Sequence, residues 1–215
     1  MSRGFRLLQS LPATFAIGLI AVLYAPAAGA LQTIDDIIKK GTIVVGVSTT
    51  TPIFGLIGQQ GEPEGYDPDV ARLLAKYLGV KVDFVPVTGA NRIPQLLSGR
   101  VDVLICLFGI TPERAQQVWY SIPYAYEAAT LVAPAALKVG TGLLVNQRLN
   151  RNNPGKDYQV KIVLRPLHFG IGIRRGEIDK LQWLNTFIYT IKNNGELDAI
   201  SRKWRERPLE DLPVF

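Results

Sequence analysis

Cysteine and histidine are nearly absent from this chain: Cys106 and His168 are the only ones in 215 residues. One cysteine forbids an intrachain disulfide and excludes a Cys-rich secreted scaffold. Cys106 and His168 together cannot assemble a His/Cys zinc site. Acid–base chemistry would therefore fall to carboxylates or lysine. The motifs of common enzymes are missing too: there is no Walker loop, no G-x-S-x-G elbow and no H-E-x-x-H. Gly-x-Gly occurs only as Gly140-Thr141-Gly142 and Gly170-Ile171-Gly172, too little for a dinucleotide site, so neither a metal nor a cofactor is implied. The 24 Lys+Arg exceed the 18 Asp+Glu, giving a net charge of +6. These cations are scattered apart from Arg202-Lys203-Trp204-Arg205, which makes no nucleic-acid footprint.

What is present describes a folded chain. With 47% hydrophobic and 20% charged residues, disordered and fibrous classes are excluded, and the length suits one domain or two small lobes. The first thirty residues read as a secretory signal peptide. Arg3 and Arg6 form a basic start, Ala13 to Tyr24 is an apolar run shorter than a membrane span, and Ala28-Gly29-Ala30 is a small-x-small cleavage pattern. Cleavage there would leave 185 residues at net charge +4. The expected product is exported, with no stable membrane insertion, because no second apolar stretch approaches spanning length.

Strand and helix signals then alternate. Thr33 caps a helix that stops at Gly41; Thr42 to Val47 is a buried strand; Ser48 to Gly65 reads as loop. Asp67-Pro68 reads as the cap and first position of a helix carrying Val70, Leu73, Leu74, Tyr77 and Leu78, ended by Gly79. Val80 to Val87 is a strand, Ile93 to Leu97 a short helix, and Val101 to Phe108 a third strand, apolar except for Asp102. His168 to Arg174 can be a strand. Ile178, Leu181, Leu184, Phe187, Ile188 and Ile191 make a helical stripe stopped at Asn194-Gly195, and a last helix carries Leu197, Ile200 and Trp204. Between Pro134 and Leu167 the pattern is weak, with a possible helix near Leu143 to Asn150 and a strand near Tyr158 to Leu164. The alternation predicts an α/β fold with a parallel-type sheet covered by helices on both faces. Ligands bind such sheets at the carboxyl ends of strands, which singles out the loops Ser48 to Phe54, Thr88 to Arg92 and Leu107 to Arg114.

Those loops hold the candidate site. In Ile110-Thr111-Pro112-Glu113-Arg114, Thr111 caps a helix with Pro112 at its first position, so Arg114 lies in the first turn, where a cation opposes the helix dipole. A guanidinium fork beside helix-start amides suits a carboxylate; a surface pair with a nearby acid is equally compatible. Gly109 could offer an amide to the same anion or simply permit a turn. Phe54 is either a packing aromatic or a stacking surface. Arg92 opens a second strand-end helix, as a ligand group or a solvated side chain. Cys106 reads as a buried apolar residue, and Trp119, Tyr120, Tyr124 and Tyr126 as hinge and core aromatics.

In order and spacing, several segments together resemble family 3 of the bacterial extracellular solute-binding proteins, the periplasmic amino-acid receptors of ABC importers. They are Gly46-Val47, Pro52-Ile53-Phe54, Gly65-Tyr66-Asp67-Pro68-Asp69, Arg92-Ile93-Pro94, Leu97-Ser98-Gly99-Arg100-Val101-Asp102, Ile110-Thr111-Pro112-Glu113-Arg114 and Tyr120-Ser121-Ile122-Pro123-Tyr124. Trp183-Leu184-Asn185 through Lys203-Trp204 is similar to the family's closing helices. The resemblance implies a type II periplasmic-binding-protein fold, two α/β lobes joined by two hinge strands, with an amino acid clamped between them. By the same resemblance Arg114 and the Gly109 amide would hold the ligand α-carboxylate, and Phe54 and Thr51 would face its side chain. Arg92 would stand where relatives that take acidic amino acids reach a second carboxylate. The implied partner is an inner-membrane ABC permease.

One departure is large. With hinges through Leu131-Val132-Ala133-Pro134 and His168 to Arg174, lobe 1 comprises 31–133 and 168–215, and the second lobe must fit in 134–167. A domain this small cannot bury an adequate core without staples. Val139 to Leu164 looks like the last part of the family's second lobe, joined near Leu137-Lys138, and Gly142 falls where relatives often place an Asp for the ligand amino group. The expectation is a receptor lobe with a truncated partner lobe and impaired binding. Two other classes stay open: a cyclohexadienyl dehydratase-like enzyme, although a carboxylate facing Arg114 is not evident, and a non-transporting sensor or scaffold.

Overall fold

A computed structural model describes residues 31–134, 141–143, 154–155 and 158–213. The expected signal peptide, residues 1–30, lies outside the described residues, as does most of the possible helix after Leu143. The chain opens with α1, Ile34–Lys40. Thr33 Oγ1 accepts the Asp36 amide, Asp36 reaches back to the Thr33 amide, and Gly41 ends the helix at φ +72°. The cap at Thr33 and the stop at Gly41 stand where the sequence places them, as a capping box and a left-handed glycine. Next come β1 (Thr42–Val47), β2 (Thr50–Thr51), β3 (Gly55–Ile57), β4 (Pro63–Glu64), α2 (Tyr66–Leu78), β5 (Lys81–Pro86), α3 (Arg92–Leu97), β6 (Val103–Leu104), α4 (Pro112–Ala115) and β7 (Val118–Tyr120). The chain continues with β8 (Ala125–Pro134), β9 (Thr141–Leu143), β10 (Tyr158–Phe169) and β11 (Gly172–Arg174), and closes with two helices, α5 (Ile178–Asn193) and α6 (Glu196–Arg205).

The central sheet runs β5-β1-β6-β11-β7. β5, β1 and β6 are parallel, as read from their apolar runs, whereas β11 lies antiparallel to both β6 and β7. The sheet is mixed because β11 re-enters from the opposite direction after β10. Alternation along β1 explains the covering of both faces: Ile43, Val45 and Val47 enter the core shared with α1, α2, α5 and α6. Val44 faces the second core, built from Val87, Leu96, Val101, Leu104, Cys106, Phe108 and Val118.

Several elements differ from the sequence reading. The loop Ser48 to Gly65 folds into a small antiparallel sheet, β2-β3-β4. The strand expected over Val101 to Phe108 shortens to β6, and three residues beyond its end Leu107 turns the chain in the left-handed region at φ +50°. Its one acid, Asp102, is buried with Oδ2 accepting the Val44 amide at 2.8 Å. α2 begins two residues earlier than expected, with Gly65 rather than Asp67 at the N-cap. Gly65 sits at φ +136°, where a Cβ would stand 2.5 Å from the Phe54 carbonyl oxygen. Gly65→Ala is expected to cost about 1–3 kcal/mol, read as a lower denaturant midpoint with unchanged m.

β8 and β10 form a long antiparallel ladder from Ala125↔Phe169 to Tyr158↔Pro134, with β9 added to the far side of β8. The boundary drawn at 167/168 falls inside β10. The expected strand His168 to Arg174 is broken at Gly170-Ile171, where β10 ends and β11 begins. Two ion clusters fasten the closing helices to the rest. Glu127 takes Arg205 and Arg207 at 2.9 and 2.7 Å. Glu177 takes Arg174 at 2.6 Å, Lys180 at 2.9 Å and the Gln32 amide at 3.1 Å. Among the described residues no helix is long and apolar enough to cross a membrane.

Candidate functional site

β1, β5 and β6 run parallel as neighbours, so the loops that follow them open at one edge of the sheet. The third loop shapes the site. Leu107 adopts its left-handed conformation, donates its amide to Asp67 Oδ2 at 2.8 Å and accepts the Gly109 amide at 3.0 Å, closing a three-residue turn. That turn seats the Phe108 ring in the core, 4.8 Å from the Tyr120 ring.

Two cations flank this ring. Arg92, from the first residue of α3, places Cζ 4.7 Å from the Phe108 centroid and donates Nη1 to the Cys106 carbonyl at 3.3 Å. Its Nε is buried with no hydrogen-bond partner among the described groups. Arg114, from α4, places Cζ 5.6 Å from the same centroid and donates Nη1 to the Gly109 carbonyl at 2.9 Å. The Tyr120 hydroxyl donates to that carbonyl at 3.2 Å. The guanidinium groups are thus steered by an aromatic face and by carbonyl oxygens, and among the described residues no ion pair neutralises either. Two half-buried cations beside one ring favour an anionic guest.

The structure brings Arg92, Gly109 and Arg114 together around Phe108. The Gly109 amide, expected to meet a carboxylate, donates to the Leu107 carbonyl, and the Gly109 carbonyl accepts from Arg114. The helix-start amide of Arg114 is also engaged, by Thr111 Oγ1 at 3.4 Å. Phe54 is fully buried between Tyr66 and Phe169, with centroids at 5.5 and 6.2 Å, the packing role open to it from the sequence. Thr51 stays within its own loop, half-buried and 3.0 Å from the Ser48 hydroxyl. Burial pushes the Cys106 thiol up to about 12, which keeps it an inert core residue.

Sequence reasoning missed Asp67. This carboxyl is wholly enclosed, takes the Tyr124 hydroxyl at 2.8 Å as well as the Leu107 amide, and is pushed up to about 7 by burial, against those two bonds. The signal was in the helical period: Asp67, Ala71, Leu74 and Leu78 share the buried face of α2, so an acid stands in the apolar stripe.

Residues 43–207 match the family model of the bacterial extracellular solute-binding proteins, family 3, and the chain belongs to that family. It is 25% identical to the L-cystine-binding protein TcyJ of Escherichia coli K12, across 91% of this chain and 94% of the relative. It is 29% identical to the cyclohexadienyl dehydratase of Pseudomonas aeruginosa, across 54% of this chain and 43% of the relative. The crystal structure of the L-cysteine solute receptor of Neisseria gonorrhoeae superposes with a TM-score of 0.70 at 25% identity, covering 80% of this chain and 93% of that one. The fold is the type II fold of the periplasmic amino-acid-binding proteins.

Proposed function

We propose that the chain is the periplasmic solute-binding component of an amino-acid ABC importer and takes its ligand's α-carboxylate on Arg114. The carrying observation is the pair of guanidinium groups, Arg114 and Arg92, held against Phe108 by main-chain carbonyls at the carboxyl edge of the sheet. Arg92, with a buried donor to spare, serves a second anionic or strongly polar group of the ligand. Thr51 borders the ligand side chain, and Phe54 supports that wall from beneath. Gly109 acts through its carbonyl by aiming Arg114.

The second lobe, 134–167, is a reduced wall. The alignment with TcyJ spans 251 positions, more than the 215 residues of this chain. At least 36 positions of that comparison therefore face a gap here. A clamshell encloses its ligand between two walls; one short wall leaves more of the ligand in water, and binding is correspondingly weak. The chain acts at the membrane surface of the periplasm after export and delivers its ligand to a permease.

Titration calorimetry of residues 31–215 with L-cystine, L-cysteine, L-arginine, L-glutamine and L-glutamate tests the reading. At least one is expected to bind, and Arg114→Ala is expected to weaken it about 10- to 100-fold, the effect of removing a charge-assisted contact. No heat from a cooperatively folded chain, or equal affinity in the variant, overturns the proposal. The likeness to a dehydratase is checked on the same sample with prephenate, for which no turnover is expected.

A further inference from the structure

We propose that Asp67 is the positioning residue of the ligand site, holding the Leu107–Gly109 turn in the one conformation that aims Arg114; the proposal rests on the reading of Arg114 as the carboxylate-binding group. Three segments meet at this side chain. The Asp67 amide donates to the Phe54 carbonyl at 3.0 Å, which ties down the loop after β1. Its Oδ2 accepts the Leu107 amide and its Oδ1 the Tyr124 hydroxyl, both at 2.8 Å. Tyr124 immediately precedes β8, and its own carbonyl accepts the Tyr66 hydroxyl at 2.9 Å. One buried carboxyl thus joins the first site loop, the third site loop and the start of the strand that leaves the central sheet.

The bond to Leu107 holds a conformation the residue would otherwise leave. A left-handed leucine is sterically disfavoured, because its Cβ crowds the following carbonyl. Nothing in the local sequence compensates, since the residue is not Gly, Asn or Asp. The Asp67 carboxyl supplies the missing reason: it is the acceptor for the Leu107 amide in that conformation. If Leu107 relaxed to negative φ, the turn closed by its carbonyl and the Gly109 amide would open, and the Gly109 carbonyl would no longer face Arg114 and Tyr120. Asp67 touches no part of the expected ligand surface and acts through this turn.

Amide hydrogen exchange in the ligand-free protein tests the positioning directly. In the parent, the Leu107 amide is expected to exchange at least about a hundredfold more slowly than a free peptide, despite its place in a loop. An unprotected Leu107 amide overturns the proposal without any variant. In Asp67→Ala, exchange at Leu107 and Gly109 is expected to rise about tenfold or more while Val45 and Val47 in β1 keep their protection. Asp67→Asn, whose amide oxygen still accepts from Leu107, and Tyr124→Phe, which removes only the hydroxyl, are expected to stay within about threefold of the parent at Leu107. Binding of whichever of the five amino acids titrates the parent is expected to weaken about 10- to 100-fold in Asp67→Ala and to recover in Asp67→Asn. Parent-like exchange at Leu107 or parent-like affinity in Asp67→Ala overturns the proposal. If none of the five amino acids binds the parent, the receptor reading falls, while the exchange rates still decide whether Asp67 holds the turn.

Discussion

Replacing Glu177 by alanine is expected to lower the unfolding free energy by about 3–5 kcal/mol, the usual cost of stranding buried charge by removing its partner. The Glu177 side chain is completely enclosed. It receives Nε and Nη2 of Arg174, Nζ of Lys180 and the Gln32 amide. Lys180 is also completely enclosed, and Arg174 retains 9% of its side-chain exposure. Burial lowers the pKa of Lys180, and Glu177 is the main influence raising it again. Without Glu177, Lys180 must either stay charged in an apolar setting or shed its proton, and Arg174 cannot shed one. The remaining acceptors are the carbonyls of Leu96, Val101 and Asp102 and the Gln32 side chain. The loss is measured by denaturant unfolding and should appear as a melting temperature lower by roughly 6–20 °C. Glu177→Leu combined with Lys180→Met should recover much of the loss, because apolar replacement removes the stranded charge along with the pair. A cost below about 1 kcal/mol would mean that water reaches the cluster.

The second large effect is a dependence on pH with the opposite sign to ordinary acid denaturation. Asp67 has its pKa raised from 3.8 to about 7 by burial. The folded protein therefore holds this proton more tightly than the unfolded chain. The contribution is present in full below about pH 4 and is lost as pH rises through 7. A shift of this size corresponds to ~4 kcal/mol. The groups facing Asp67, namely Tyr66, Tyr124 and Cys106, all have their pKa values raised and change no charge in that window. Asp36, Glu196 and Asp198 are lowered by hydrogen bonds and slope the other way. The Asp67 effect is isolated as the difference between the parent and Asp67→Asn. Between pH 5 and pH 8 the parent is expected to lose about 3 kcal/mol relative to the variant. A difference that does not change with pH would mean that the bonds from Leu107 and Tyr124 already keep the carboxyl ionised.

Much of the scaffold was legible because it is written locally. The caps Thr33 and Gly41, the strand Thr42 to Val47 and the stripe from Ile178 to Ile191 need no distant partner to be read, and each stands where the sequence places it. The conflict at Arg92 and Arg114, a cation at a helix start, was legible too, although it left a solvated side chain or a surface pair open beside a ligand role. The floor between them was not. Phe108 reads as the end of an apolar strand, and only the turn at Leu107 makes it a shared face for two guanidinium groups. That turn depends on Asp67, 40 residues away in sequence. The bond from the Gly109 amide to the Leu107 carbonyl belongs to the same turn and was equally out of reach of a local reading.

The place of β11 constrains how this chain can fold. It lies between β6 and β7, so residues near the end of the chain complete a sheet begun near its start. The contacts of Gln32 with Glu177 and Lys180 span 145 and 148 residues. Loops of that length are closed late, and chains dominated by such pairings fold slowly. Until the last segment arrives, β6 presents a bare edge and β7 has no ladder partner, the geometry that invites pairing between molecules. A chain cut off before β11 is therefore expected to be an aggregating fragment rather than a smaller receptor. The segment from β11 onward acts as the clasp that completes the central sheet.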